Sequence, residues 1–160
     1  MLIRLTKISD VLHRLTVVRD DRSEESVDLA SRSLLLHDFL HYAVESIGGL
    51  RSSFWGSLAA GKTMAELGAA MRPPEGITPA LLATEAATTE AIVGCFTTVA
   101  HGRSEPATAL AVLAHLFEAQ ERPLPEFLTP AFGDALRDRI RRLVGEWRAV
   151  PYGGTMELRF

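Results

Sequence analysis

Between Leu34 and Ile47 the chain reads Leu-Leu-Leu-His-Asp-Phe-Leu-His-Tyr-Ala-Val-Glu-Ser-Ile, apolar at most positions. On a helix turning about 100° per residue, Leu36, Leu40, Ala43, Val44 and Ile47 fill one arc. Leu35, Phe39 and Tyr42 cover most of the opposite side, and His37, His41 and Glu45 form one polar strip with Asp38 at its edge. A helix wrapped this way is buried rather than laid on a surface. Its histidines and carboxylates therefore need partners, because an unpaired buried polar group costs roughly 2–7 kcal/mol.

The pattern elsewhere sets this helix in a mixed fold. Residues 2–8 and 11–18 are rich in Ile, Leu, Val and Thr and flank Ser9-Asp10, which predicts a tight hairpin. Residues 19–28 are charged and poor in apolar side chains, and read as a connection. Asp28 or Ser31 would cap the central helix, and Gly48-Gly49 would end it. A short helix over 53–60 carries Phe54, Trp55 and Leu58 and stops at Gly61. Thr63 and Glu66 have capping-box spacing and start a third helix to Met71.

Arg72-Pro-Pro-Glu-Gly-Ile is a break, after which Thr78-Pro79 opens a helix to about Ala100. Another helix follows from Pro106 to about Gln120, then a proline-rich turn over 121–130. The last helix, 131–149, carries an apolar stripe through Phe132, Leu136, Ile140, Leu143, Val144 and Trp147. Met156, Leu158 and Phe160 alternate with polar residues and predict a strand that joins the hairpin. The fold class expected is predominantly α within α+β: a multi-helix bundle with a small antiparallel sheet from the N-terminal hairpin and the C-terminal strand. One domain, 1–160, is expected at this length.

Composition narrows the function classes. Hydrophobic residues at 47% and a mean hydropathy of +0.11 call for a dense helical core or an oligomer interface, so a homodimer is expected. A net charge of −3 gives no basis for binding nucleic acid, which rests on phosphate neutralisation. No apolar run is long enough to span a bilayer, and charges interrupt the apolar run at the N-terminus, unlike a secretory signal. The single cysteine, Cys95, suits a reducing compartment, and a cytoplasmic location is expected. Cys95 lies in an apolar helix and reads as a buried, inert thiol. Trp55 and Trp147 read as core or interface anchors.

Two histidines four apart on a helix have Cβ atoms about 5–6 Å apart and can share one ion. His37 and His41 have this spacing, as the zinc-protease helix does. The residue after the first histidine is Asp38 rather than the Glu that serves there as base, so protease chemistry does not transfer. Glu45 lies about 12 Å along the axis from His37, too far for one ion to touch both. Zinc or iron held by His37 and His41 would need completion from another helix. Glu85, in register with the inward stripe, and His115, mid-helix among apolar residues, are the candidates; Glu90 lies off that stripe. Asp38 or Glu45 would orient a histidine from behind. The competing reading is a satisfied polar network on a non-catalytic interaction or dimerisation module. His115 taken alone reads as a core histidine, and His13 and His101 as surface or turn residues.

His37-Asp38-x-x-His41-Tyr42-x-Val44-Glu45, with Gly49-Leu50 and Phe54-Trp55-Gly56 downstream, resembles a group of small uncharacterised bacterial proteins over about residues 34–60. That resemblance implies no activity. More distantly, His-Asp-x-x-His looks like the zinc signature of the helical ubiquinone-biosynthesis scaffold family. That family places a Glu twelve residues after its second histidine, where this chain has Ser53. The likeness therefore hints at metal and not at quinone chemistry.

Gly56-Ser-Leu-Ala-Ala-Gly61-Lys62-Thr63 matches the phosphate-loop pattern letter for letter. The mechanism needs a buried strand before the loop and a parallel sheet around it. Arg51-Ser-Ser-Phe-Trp precedes it instead, and no alternation of strands and helices follows. Ser57-Leu-Ala-Ala reads as helix, with Gly61 as its stop and Thr63 as the next cap.

Overall fold

The hairpin forms where alternation places it: β1 (Leu2–Lys7) and β2 (Leu12–Val18) pair antiparallel, with Leu5 opposite Leu15. The C-terminal strand, numbered β4 (Thr155–Arg159), joins the free side of β1, with Met156 opposite Leu5. These elements come from a computed structural model that describes residues 1–70 and 84–160. Inward-facing Ile3, Leu5, Leu15, Val17, Met156 and Leu158 are all buried against the helices. The opposite face of the sheet is polar, crossed by Arg4–Glu157 and Arg14–Asp28 ion pairs.

The charged connection is a strand. Residues Glu24–Ala30 form β3, antiparallel to β2, and the sheet order is β3-β2-β1-β4. Its alternation was masked by composition: Glu24, Ser26 and Asp28 occupy the outer face, and the inner positions are Glu25, Val27 and Leu29. An acidic edge strand resists pairing with other chains, which accounts for the low apolar content. Asp28 is thus paired with Arg14 and caps nothing.

A π-helical turn, Ser31–Leu35, leads from β3 into α1 (Leu36–Gly48), and Gly49 ends α1 at φ 67°. Ser31 does not cap the helix; its hydroxyl meets His13 Nδ1 at 3.0 Å. Phe39 through Glu45 are buried without a gap, so the middle of α1 is enclosed on all sides, whereas Ile47, expected in the buried arc, is 38% exposed near the helix end. It packs on α4 (Glu85–Ala100), on α6 (Pro130–Ala149) and on α2 (Phe54–Ala59). α5 (Pro106–Ala119) lies against α4 and α6. Thr84 caps α4 by accepting from Ala87 N at 3.1 Å, and Thr129 caps α6 by accepting from Phe132 N at 3.2 Å. The expected break after Met71 and the Thr78-Pro79 helix start lie outside the described residues.

The segment from α2 to α3 (Met64–Ala70) is fastened to the sheet by a buried arginine. Arg19, 9% exposed, donates Nε to the Leu58 carbonyl at 3.0 Å and Nη2 to the Lys62 carbonyl at 2.7 Å. Arg19 also pairs with Glu25, whose second oxygen accepts from Met64 N at 2.8 Å. The capping box is present, with Thr63 N donating to Glu66 at 2.7 Å and Glu66 N to Thr63 Oγ1 at 3.2 Å. Arg19→Met is expected to cost about 3 kcal/mol, because it leaves Glu25 half-buried and two carbonyls without a donor. Hydrogen exchange should then quicken at Leu58–Met64 while the amides of β1 keep their protection.

The phosphate-loop letters acquire structural roles. Phe54–Ala59 are helical, Gly61 sits at φ 100°, and the sheet is antiparallel throughout the described residues. Gly56 is required by a close approach: a Cβ there would overlap the backbone carbonyl of Arg51. The amides of Ser57, Ala60, Gly61 and Lys62 are bonded to carbonyls of the same segment and that of Gly56 to Glu45, so they are not aimed together at a phosphate.

Candidate metal centre

The polar strip of α1 divides at its middle. His41 and Glu45 are 2% and 0% exposed, whereas the His37 side chain, one turn earlier, is 40% exposed at the rim between α1 and α4. From α4, Glu90 reaches across to both histidines. Its Oε1 lies 3.1 Å from His41 Nε2 and its Oε2 lies 3.7 Å from His37 Nε2. One donor atom from each of His37, His41 and Glu90 falls within 4.8 Å of the others. The imidazoles are tilted by 49° with centroids 4.6 Å apart, as side chains converging on a common point would be.

Alignment separates this cluster from a simple ion pair. His41 Nε2 and Glu90 Oε1 are close, yet they do not meet the angular requirement of a hydrogen bond, and both are buried atoms with no other partner among the described residues. Ligands about 2.0–2.1 Å from a tetrahedral ion stand roughly 3.3 Å apart and point at the ion rather than at each other.

Behind His41 the arrangement is complete. His41 Nδ1 lies 3.2 Å from Glu45 Oε1, and Glu45 Oε2 accepts from Gly56 N at 3.1 Å. The carboxylate fixes the ring and selects the tautomer with the proton on Nδ1, leaving Nε2 free toward Glu90. Glycine at 56 is required by the approach to Arg51, and its backbone amide holds Glu45.

Burial is the largest single influence on His41 and pushes its pKa down. The hydrogen bond from Glu45 and the close charges of Glu90 and Glu45 together outweigh burial and raise it to about 9. Glu90 is drawn down to about 2 by His37 and then by His41, against the opposing effect of burial. In the ion-free chain, His41 carries a raised folded pKa and so stabilises the fold fully below its unfolded value of 6.5. That contribution is lost as pH rises through about 9. Glu90 acts in the other direction, stabilising above 4.5 and losing its contribution as pH falls toward 2. Denaturation midpoints of chelator-treated protein should therefore be highest between these two limbs and fall from neutral pH to pH 9.

The other expected residues are placed elsewhere. Glu85 does not complete the cluster; its carboxylate accepts from Ser52 N and holds the loop before α2. His115 is exposed on α5, neither a core histidine nor near the strip. Asp38 lies beside His13, with Oδ2 3.9 Å from His13 Nε2. His13 is no surface residue: it is 0% exposed, on the inner face of β2, edge-on to Trp147 with ring centroids 5.9 Å apart. The alternation His13, Leu15, Val17 carried that signal. His101 caps α4 and is exposed, as a turn residue should be. Cys95 is half-buried, and burial pushes its thiol up, away from reactivity.

Two hollows meet at the cluster. One, of about 350 Å³, is walled by Leu15, Val27 and Leu29 of the sheet and by Leu34, Phe54 and Met64, with His37, Asp38 and His41 along one side. The other, of about 180 Å³, mixes Ser52, Ser53, Ser57 and Lys62 with apolar Phe54 and Leu67 around His41 and Glu90. Among the described residues no helix is long and apolar enough to cross a membrane. No family model matches the chain, and no curated protein or solved structure matches it either.

Proposed function

We propose that this protein binds one transition-metal ion, zinc or iron, through His37, Nε2 of His41 and Glu90, with Glu45 as the outer partner of His41. The observation that carries the reading is the orphaned pair, His41 Nε2 and Glu90 Oε1, buried and 3.1 Å apart without hydrogen-bond alignment. Two imidazoles and one carboxylate are a donor set used by catalytic zinc and by non-haem iron alike. Three protein ligands leave a coordination position open, so the ion serves chemistry or ligand binding rather than acting as a closed structural staple. At that position it would polarise an oxygen or lower the pKa of bound water.

The competing reading is an ion-free network in which protonated His41 is clamped between Glu45 and Glu90. It draws support from the pKa of about 9. Calorimetric titration of chelator-stripped protein with zinc separates the two. The metal reading predicts one equivalent bound, with proton release and an apparent affinity that rises about tenfold per pH unit up to pH 9. No heat and no retained metal on elemental analysis would favour the network.

A further inference from the structure

We infer that the molecule handled at this centre is a small, largely apolar compound whose oxygen-bearing head meets the ion while its body fills the hollow beneath β3. The inference rests on the metal reading above and extends it to a ligand class. Two of the three proposed ligands, His37 and His41, also wall the 350 Å³ hollow, so an ion held by them borders it. Such a volume is at the small end of ligand sites, and apolar walls with a few convergent polar groups are their usual construction.

The hollow is built from six separate elements and is not a chance gap between two side chains. β3 supplies Val27 and Leu29, the π-helical turn supplies Leu34, and the α2–α3 segment supplies Phe54, Met64 and Gly68. Val27 and Leu34 remain 37% exposed, so apolar surface there is incompletely covered by the described residues. Arg19 and Glu25 fix the α2–α3 wall to the sheet at a set spacing, which preserves the hollow against collapse. The smaller hollow on the far side of His41 carries three serines and Lys62 on its wall, which gives room for water beside the ion.

The test uses the full chain loaded with cobalt(II) and a series of alkyl hydroxamic acids from two to eight carbons, followed by the cobalt absorption bands. Binding should tighten about three- to fourfold for each added methylene until the hollow is filled. Gly68→Leu should abolish that dependence by filling the hollow, while the cobalt bands of the hydroxamate-free variant report that it has folded and loaded. A Cβ at Gly68 meets no atom of the described residues within 4 Å, and leucine suits a helix better than glycine, so the variant should fold. Cobalt uptake with affinities independent of chain length would overturn this inference alone, as would a chain-length dependence that survives Gly68→Leu. A chain that takes up no cobalt before any hydroxamate is added would overturn the metal reading, and this inference with it.

Discussion

His41→Ala is expected to abolish stoichiometric zinc or iron binding, reducing affinity by more than the roughly 10- to 100-fold that loss of an outer partner costs. His41 is the only one of the three proposed ligands that is nearly fully buried, and its Nε2 is oriented by a carboxylate fixed in turn by the Gly56 amide. Removing it deletes a donor and frees Glu45, so remaining metal would sit on two half-exposed side chains, His37 and Glu90. His37→Ala should weaken binding less, since a water from solvent can replace an exposed imidazole. Elemental analysis after dialysis against a weak chelator checks the order. Equal metal content in the two variants would speak against a centre built on His41.

Glu45→Leu should be the most destabilising substitution in the polar strip, costing about 3–5 kcal/mol. Glu45 is 0% exposed and serves two donors, His41 Nδ1 and Gly56 N, so its loss orphans both inside the protein. Leucine matches the volume approximately, which leaves unsatisfied polarity as the main cost. With Glu45 gone, burial also gains on the remaining partners of His41, and its pKa should fall below the value of about 9. Chemical denaturation at pH 6 gives the first quantity and a nuclear magnetic resonance titration of the imidazole the second. Glu45→Gln should restore much of the stability, because an amide oxygen can still accept from Gly56. An unchanged denaturation midpoint in Glu45→Leu would mean that the carboxylate holds nothing.

The fold class was legible because its signals are local. The wrapped composition of residues 34–47 could only be a buried helix, and the alternation of Met156 and Leu158 could only be a strand with one covered face. β3 was not legible, since an edge strand that protects itself with acidic side chains has the composition of a loop. The centre was half legible for a related reason. Spacing on one helix brings His37 and His41 together without tertiary information, whereas the third member depends on how α4 lies across α1. Inward register singled out Glu85, but a cluster at the rim takes its carboxylate from the margin of the buried face, where Glu90 stands next to Thr89. Glu85, nearer the helix start, is occupied by the Ser52 amide. His115 has apolar neighbours in sequence but sits on the outer side of α5, because the buried line of that helix runs through Ala109, Leu113 and Phe117.

Anomalous diffraction at the zinc edge, from crystals of the full chain grown with one equivalent of zinc, addresses the centre most directly. One strong peak about 2.0–2.2 Å from His41 Nε2, a Glu90 oxygen and a His37 nitrogen is the predicted result. Density continuous from His41 Nε2 to Glu90 as a well-aligned hydrogen bond, with no anomalous peak between them, would contradict it.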